Sequence, residues 1–85
     1  MVPVEIYTTM FCPYCLAAKR LLKNKGVDFT EIDVTMNSAK RDAMMERAGG
    51  RRSVPQIFIG AHHVGGSDEL HGLESRGELD ALLAG

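Results

Sequence analysis

The chain has 85 residues, 45% of them hydrophobic, and a formal net charge of −1. That is the size of a single domain covering residues 1–85, too apolar for a disordered chain and without the basic field that would hold nucleic acid or an anionic membrane. The charge is uneven: residues 1–52 carry nine basic and six acidic side chains, whereas residues 53–85 carry one basic and five acidic.

Val4-Glu5-Ile6-Tyr7-Thr8 alternates and is rich in β-formers, which predicts a first strand. Cys12 to Lys25 reads as a helix: Pro13 suits its first position, where a missing N–H is no loss, and Ala18, Leu21 and Leu22 fall on one face with Lys19, Arg20 and Lys23 opposite. Gly26 is a natural C-terminal cap. Phe29 to Val34 alternates again and predicts a second strand. Asn37 or Ser38 can cap a helix running to about Ala48, stopped by Gly49-Gly50. Pro55 opens the apolar strand Gln56-Ile57-Phe58-Ile59, and Gly60-Ala61 fits a two-residue hairpin turn leading back through His62-His63-Val64. Gly65-Gly66 breaks that strand. Ser67 can cap a last helix with Asp68 and Glu69 in its first turn, an apolar stripe of Leu70, Leu73, Leu79, Leu82 and Leu83, and a kink or split at Gly77.

The order β-α-β-α-β-β-α implies a right-handed parallel crossover followed by an antiparallel hairpin. The expected fold is α/β, a mixed four-stranded sheet flanked by helices in the thioredoxin-like arrangement. No run approaches the roughly 18 apolar residues of a membrane span, and Met1 to Glu5 shows neither a basic start nor an apolar run of signal length. The expectation is a soluble cytoplasmic protein, in which two cysteines are too few for a secreted disulfide scaffold.

Cys12-Pro13-Tyr14-Cys15 follows a strand and opens a helix inside a β-α-β unit. Three readings compete. A structural staple around so small a loop stabilises by only roughly 2 kcal/mol at best. Half of a zinc site needs two further ligands; the candidates are His62, His63 and His71, and adjacent His62 and His63 on a strand face opposite ways. A redox dithiol is the reading the physics favours. A cysteine at the helix N-cap faces free N–H groups and the positive end of the dipole, both of which favour thiolate over thiol, and Lys19, Arg20 and Lys23 add a weaker, salt-screened pull. Cys12 is therefore the expected nucleophile. Cys15, one turn inside, is the expected resolving thiol, exchange proceeding through a mixed disulfide.

The tetrad Cys12-Pro13-Tyr14-Cys15, with Ser53-Val54-Pro55 and Gly65-Gly66-Ser67-Asp68 in order behind it, resembles the glutaredoxin family across essentially the whole chain. The length and the Pro-Gln-Ile-Phe-Ile-Gly stretch are similar to the small bacterial dithiol members of the third type. The resemblance implies a glutathione-dependent thiol–disulfide oxidoreductase that reduces protein–glutathione mixed disulfides and protein disulfides, with glutathione as co-substrate and no metal. It implies that Val54 pairs its backbone with the glutathione cysteine and that Pro55 is cis; a plain strand-start proline is the alternative. It implies that backbone N–H groups of Ser67 and Asp68, after the Gly66 turn, meet the γ-glutamyl carboxylate at a helix N-terminus, with Asp68 also accepting from the ammonium. Plain helix capping is the alternative for both. Tyr14 would line the groove, and Arg51 would face a glutathione carboxylate.

One departure stands out. Many glutaredoxins carry a Lys three residues before the first cysteine, and this chain has Thr9; Arg51 would partly compensate for that charge. Met10 and Phe11 are candidates for an apolar rim where partner proteins dock. Implied partners are glutathionylated or disulfide-containing proteins, ribonucleotide reductase being one possible target, and the expected state is a monomer. A same-fold alternative is a redoxin that takes electrons from thioredoxin reductase and passes them to ribonucleotide reductase. Another is a glutathione-ligated [2Fe–2S] carrier, against which the proline after Cys12 argues.

Overall fold

The computed structural model describes residues 2–85. The elements are β1 (Val4–Thr8), α1 (Pro13–Asn24), β2 (Thr30–Asp33), α2 (Ser38–Arg47), β3 (Gln56–Ile59), β4 (His62–Gly65), α3 (Ser67–Ser75) and α4 (Leu79–Ala84). The sheet order is β2-β1-β3-β4. β2 runs parallel to β1, with Tyr7 opposite Ile32. β3 runs antiparallel to β1, with Ile6 opposite Ile57, and β4 antiparallel to β3. This is the mixed four-stranded, thioredoxin-like sheet expected from the element order.

The period of two along the strands divides the core. Val4, Ile6, Ile57 and Ile59 face one way and pack with Ala18 and Leu22 of α1, Leu70 of α3, and Leu79 and Leu83 of α4. Tyr7 and Phe58 face the other way and pack with Val34, and with Met44 and Ala48 of α2 and its C-terminal end. β3 is central, so all four of its residues are buried.

The local punctuation has physical causes. Asn37 accepts from the Lys40 N–H at 3.0 Å and starts α2. Gly60 has φ +58°, which a tight hairpin turn requires at its first position. Gly77, at φ +72°, splits the last helical stretch into α3 and α4. Several boundaries differ from expectation: β2 is Thr30–Asp33 rather than Phe29 to Val34, and α1 is Pro13–Asn24, with Cys12 and Lys25 as its caps. β4 extends one residue further, through Gly65, and the cap of α3 is Gly66, with Ser67 already helical.

Candidate active site

β1 ends at Thr8, and the chain reaches α1 through Thr9, Met10 and Phe11. Phe11 sits at φ +56°, a conformation bulky residues rarely adopt, and its side chain is 95% exposed. This bend delivers Cys12 to the N-cap of α1 in extended conformation. Its sulfur takes the place of the oxygen of an ordinary capping residue: the Cys15 N–H donates to Cys12 Sγ at 3.1 Å. On its other side the Cys12 thiol lies 3.9 Å from the Val54 carbonyl oxygen, to which it donates.

The two cysteines are both free thiols, but their environments are unequal. Cys12 is half-buried, whereas Cys15 is 2% exposed. Burial pushes the Cys15 thiol up to about 12; its hydrogen bond to Cys12 and the Cys12 charge push the same way, opposed by the Thr9 backbone and the Lys19 charge. One sulfur is reachable at a helix N-terminus, and the other is held as a thiol one turn inside.

Two hollows flank this pair. The larger, about 650 Å³, has an apolar rim of Met10, Phe11, Pro13 and Leu16 beside both cysteines, with Lys19, Glu31 and Asp33 on its polar side. Lys19 Nζ donates to Glu31 Oε2 at 2.9 Å, and Thr8 Oγ1 donates to the same oxygen at 2.7 Å. The Lys19 bond, helped by Thr8, holds the Glu31 carboxyl below its usual range. Of the three bases expected near the sulfur, one lines this hollow. Lys19 lines the hollow but is already partnered by Glu31, while Arg20 and Lys23 are exposed on the outer face of α1.

The smaller hollow, about 150 Å³, lies beyond Val54 and is lined by Tyr14, Arg51, Ser53, Val54, Pro55, Gly66, Ser67, Asp68 and Glu69. It gathers the seven residues that the family resemblance assigns to glutathione: Tyr14, Arg51, Val54, Pro55, Gly66, Ser67 and Asp68. The Val54–Pro55 bond is cis. Ser67 and Asp68 are the first two residues of α3, so their N–H groups have no intrahelical acceptor and face the groove end of the helix.

Glu69 and Ser53 are the lining residues that the sequence reading did not assign to the groove. Glu69 Oε1 accepts from the Gly66 N–H at 2.6 Å and from Arg51 Nη2 at 3.1 Å. Its position three residues after the cap is the spacing of a capping box, the available sequence signal. Ser53 is tied to the buried Gln56, whose Nε2 donates to the Ser53 carbonyl at 2.9 Å.

A sequence model described as Glutaredoxin matches residues 4–64. Glutaredoxin 3 of Escherichia coli strain K12 is 55% identical over 83 residues, 98% of this chain and 99% of that protein. The chain belongs to the glutaredoxin family. Among solved structures, the glutaredoxin of Brucella melitensis is similar with a TM-score of 0.85 and 54% identity, over 98% of this chain and 89% of that one. A buckwheat glutaredoxin–glutathione complex is similar with a TM-score of 0.87 and 28% identity, over 98% of this chain and 77% of that one. As a glutaredoxin, the protein is a thiol–disulfide oxidoreductase of thioredoxin-like fold.

Proposed function

We propose that this glutaredoxin is glutathione-dependent and reduces protein–glutathione mixed disulfides and protein disulfides, working as a single domain and a monomer. The observation that carries the reading is the small groove next to Cys12: the Val54 backbone before the cis bond, free N–H groups at the start of α3, the Asp68 carboxylate and the Arg51 guanidinium surround one hollow. A γ-glutamyl tripeptide offers matching chemistry, with a peptide backbone, an ammonium and two carboxylates.

In this reading the Cys12 thiolate attacks the glutathione sulfur of a mixed disulfide. The target protein leaves as a thiolate and takes up a proton, and Cys12 carries the glutathionyl group. A glutathione thiolate then attacks that group's sulfur and departs with it as oxidised glutathione, regenerating Cys12. With a protein disulfide, Cys12 first bonds to the target, and Cys15, after losing its proton, displaces the target. Two glutathiones reduce the resulting Cys12–Cys15 bond. Such exchange belongs in a reducing compartment, here the cytoplasm. Ribonucleotide reductase is one disulfide-bearing target this chemistry would serve.

The test is reduction of a glutathione mixed disulfide with glutathione and glutathione reductase, run beside thioredoxin reductase as sole electron source. Turnover with glutathione alone is expected. Turnover only with thioredoxin reductase would overturn the glutathione assignment while leaving the dithiol chemistry in place.

A further inference from the structure

Arg51 is the cation among the residues lining the small groove, and two carboxylates, Asp68 and Glu69, line it with it. Arg51 is not free. Its Nη2 lies 3.1 Å from Glu69 Oε1, the same oxygen that accepts from the Gly66 N–H. The guanidinium lies against the glycine turn: a Cβ placed on Gly65 would fall 2.8 Å from Arg51 Nη1, and one on Gly66 would fall 3.8 Å from Nη2. The bare Gly65 thus lets Arg51 lie against the turn, and one carboxylate oxygen ties it there.

We infer that Glu69 is a positioning residue that holds Arg51 in reserve and sets how tightly the groove takes an anionic ligand. This rests on the glutathione reading above. A ligand carboxylate reaching Arg51 competes with Glu69 for the guanidinium's charge and for its Nη2 donor. Both side chains are nearly half exposed, at 45% and 46%, so the pair is weak enough to open. Interaction with the glutathionyl group made alike before and during exchange lowers KM without raising kcat. By occupying Arg51, Glu69 keeps that uniform binding low.

The experiment measures kcat and KM for the glutathione mixed disulfide of a short neutral peptide, with wild type, Glu69→Gln, Arg51→Ala and the double variant. Glutamine keeps an oxygen for the Gly66 N–H but loses the negative charge that faces Arg51. Glu69→Gln is expected to lower KM about twofold to fivefold, the scale of an exposed ion pair, with kcat changing less. Arg51→Ala is expected to raise KM, and the double variant to match Arg51→Ala alone. The inference is overturned if Glu69→Gln leaves KM unchanged or raises it at an unchanged melting temperature, or if its gain persists without Arg51. A role in capping alone would move the melting temperature and not KM. Absence of glutathione turnover in wild type overturns the functional reading and this inference together. Wild-type turnover with the wrong KM response overturns this inference alone.

Discussion

The backbone N–H of Cys15 donates to the sulfur of Cys12 across 3.1 Å, so α1 begins on the thiol of its own N-cap. Pro13 between them has no N–H to offer. The arrangement explains the spacing of the tetrad: two residues between the cysteines put the second one on the first turn, with its amide aimed back at the cap and its side chain turned into the protein. Cys15 belongs with the core in burial, and Cys12 belongs with the surface loops around Val54.

That asymmetry predicts different outcomes for two serine substitutions. Cys12→Ser is expected to bring reduction of both glutathione mixed disulfides and protein disulfides down to background. Cys15→Ser is expected to keep the first activity and lose most of the second, because only the second needs the buried thiol. Parallel assays with a glutathionylated peptide and a disulfide-linked protein check this. A Cys15→Ser protein that stays folded but fails on the glutathionylated peptide would reverse the roles.

The buried thiol also links folding to alkaline pH. Cys15 is raised from an ordinary value of 9.0 to about 12, first by burial, so the folded protein holds that proton more tightly than the unfolded chain. The stability it contributes is complete below about pH 9 and is lost as pH rises from there toward about 12. Urea midpoints in reducing buffer at about pH 8 and about pH 10.5 should fall more for wild type than for Cys15→Ser. The raised Lys25, bound to Glu74 and Asp80, is common to both proteins and drops out of the difference. Equal slopes would show that Cys15 is not the linked group.

Much of the architecture was legible because its causes are local. The alternation of Val4 and Ile6, the apolar run of β3, the proline after Cys12, and the glycines at 60 and 77 each act within a few residues. The groove residues were legible through the family resemblance. What the sequence concealed depends on distant partners. Arg51 and Glu69 are 18 positions apart and meet because the β3–β4 hairpin folds the start of α3 back over the loop before β3. Lys19 meets Glu31 only through the pairing of β1 with β2. The cap of α3 lies at Gly66 rather than Ser67: the Ser67 hydroxyl is engaged with His71 Nδ1 at 3.2 Å, and Glu69 closes the turn by accepting the Gly66 N–H.

The two glycines of that turn are expected to respond differently to alanine. Gly65 has φ +110°, and a Cβ there would run into Glu69 and Arg51. Gly65→Ala should therefore destabilise by about 1–3 kcal/mol and disturb the groove. Gly66 has φ −94°, with only ordinary contact distances around a Cβ, the nearest at 3.5 Å. Gly66→Ala should cost about 1 kcal/mol or less, the difference between two cap residues without side-chain acceptors. Thermal and urea melts of both variants decide it, and an equal loss in the two would remove the turn geometry as the cause.

The last prediction concerns the layer beneath the cis bond. Gln56 is fully buried; its Oε1 lies 2.7 Å from His63 Nε2, and its Nε2 donates to the Ser53 carbonyl. With the amide nitrogen committed to Ser53, the ring nitrogen must be the donor to Oε1, so a neutral His63 carries its proton on Nε2. Gln56→Leu would strand the ring N–H and the Ser53 carbonyl, at about 1–3 kcal/mol, and should loosen the Ser53-Val54-Pro55 strip beside Cys12. The ring stacks on Phe58 at 4.8 Å, and burial first, then the Arg51 charge, hold its pKa below the ordinary 6.5. The unfolded chain therefore takes up the proton first as pH falls. The stability His63 contributes is present above 6.5 and is lost as pH drops through its lowered folded value. Between about pH 7 and about pH 5, wild type should lose stability more steeply than His63→Gln, a window above the lowered carboxyls of Glu31 and Glu69. If the two proteins lose stability in parallel, His63 is not the group that titrates there.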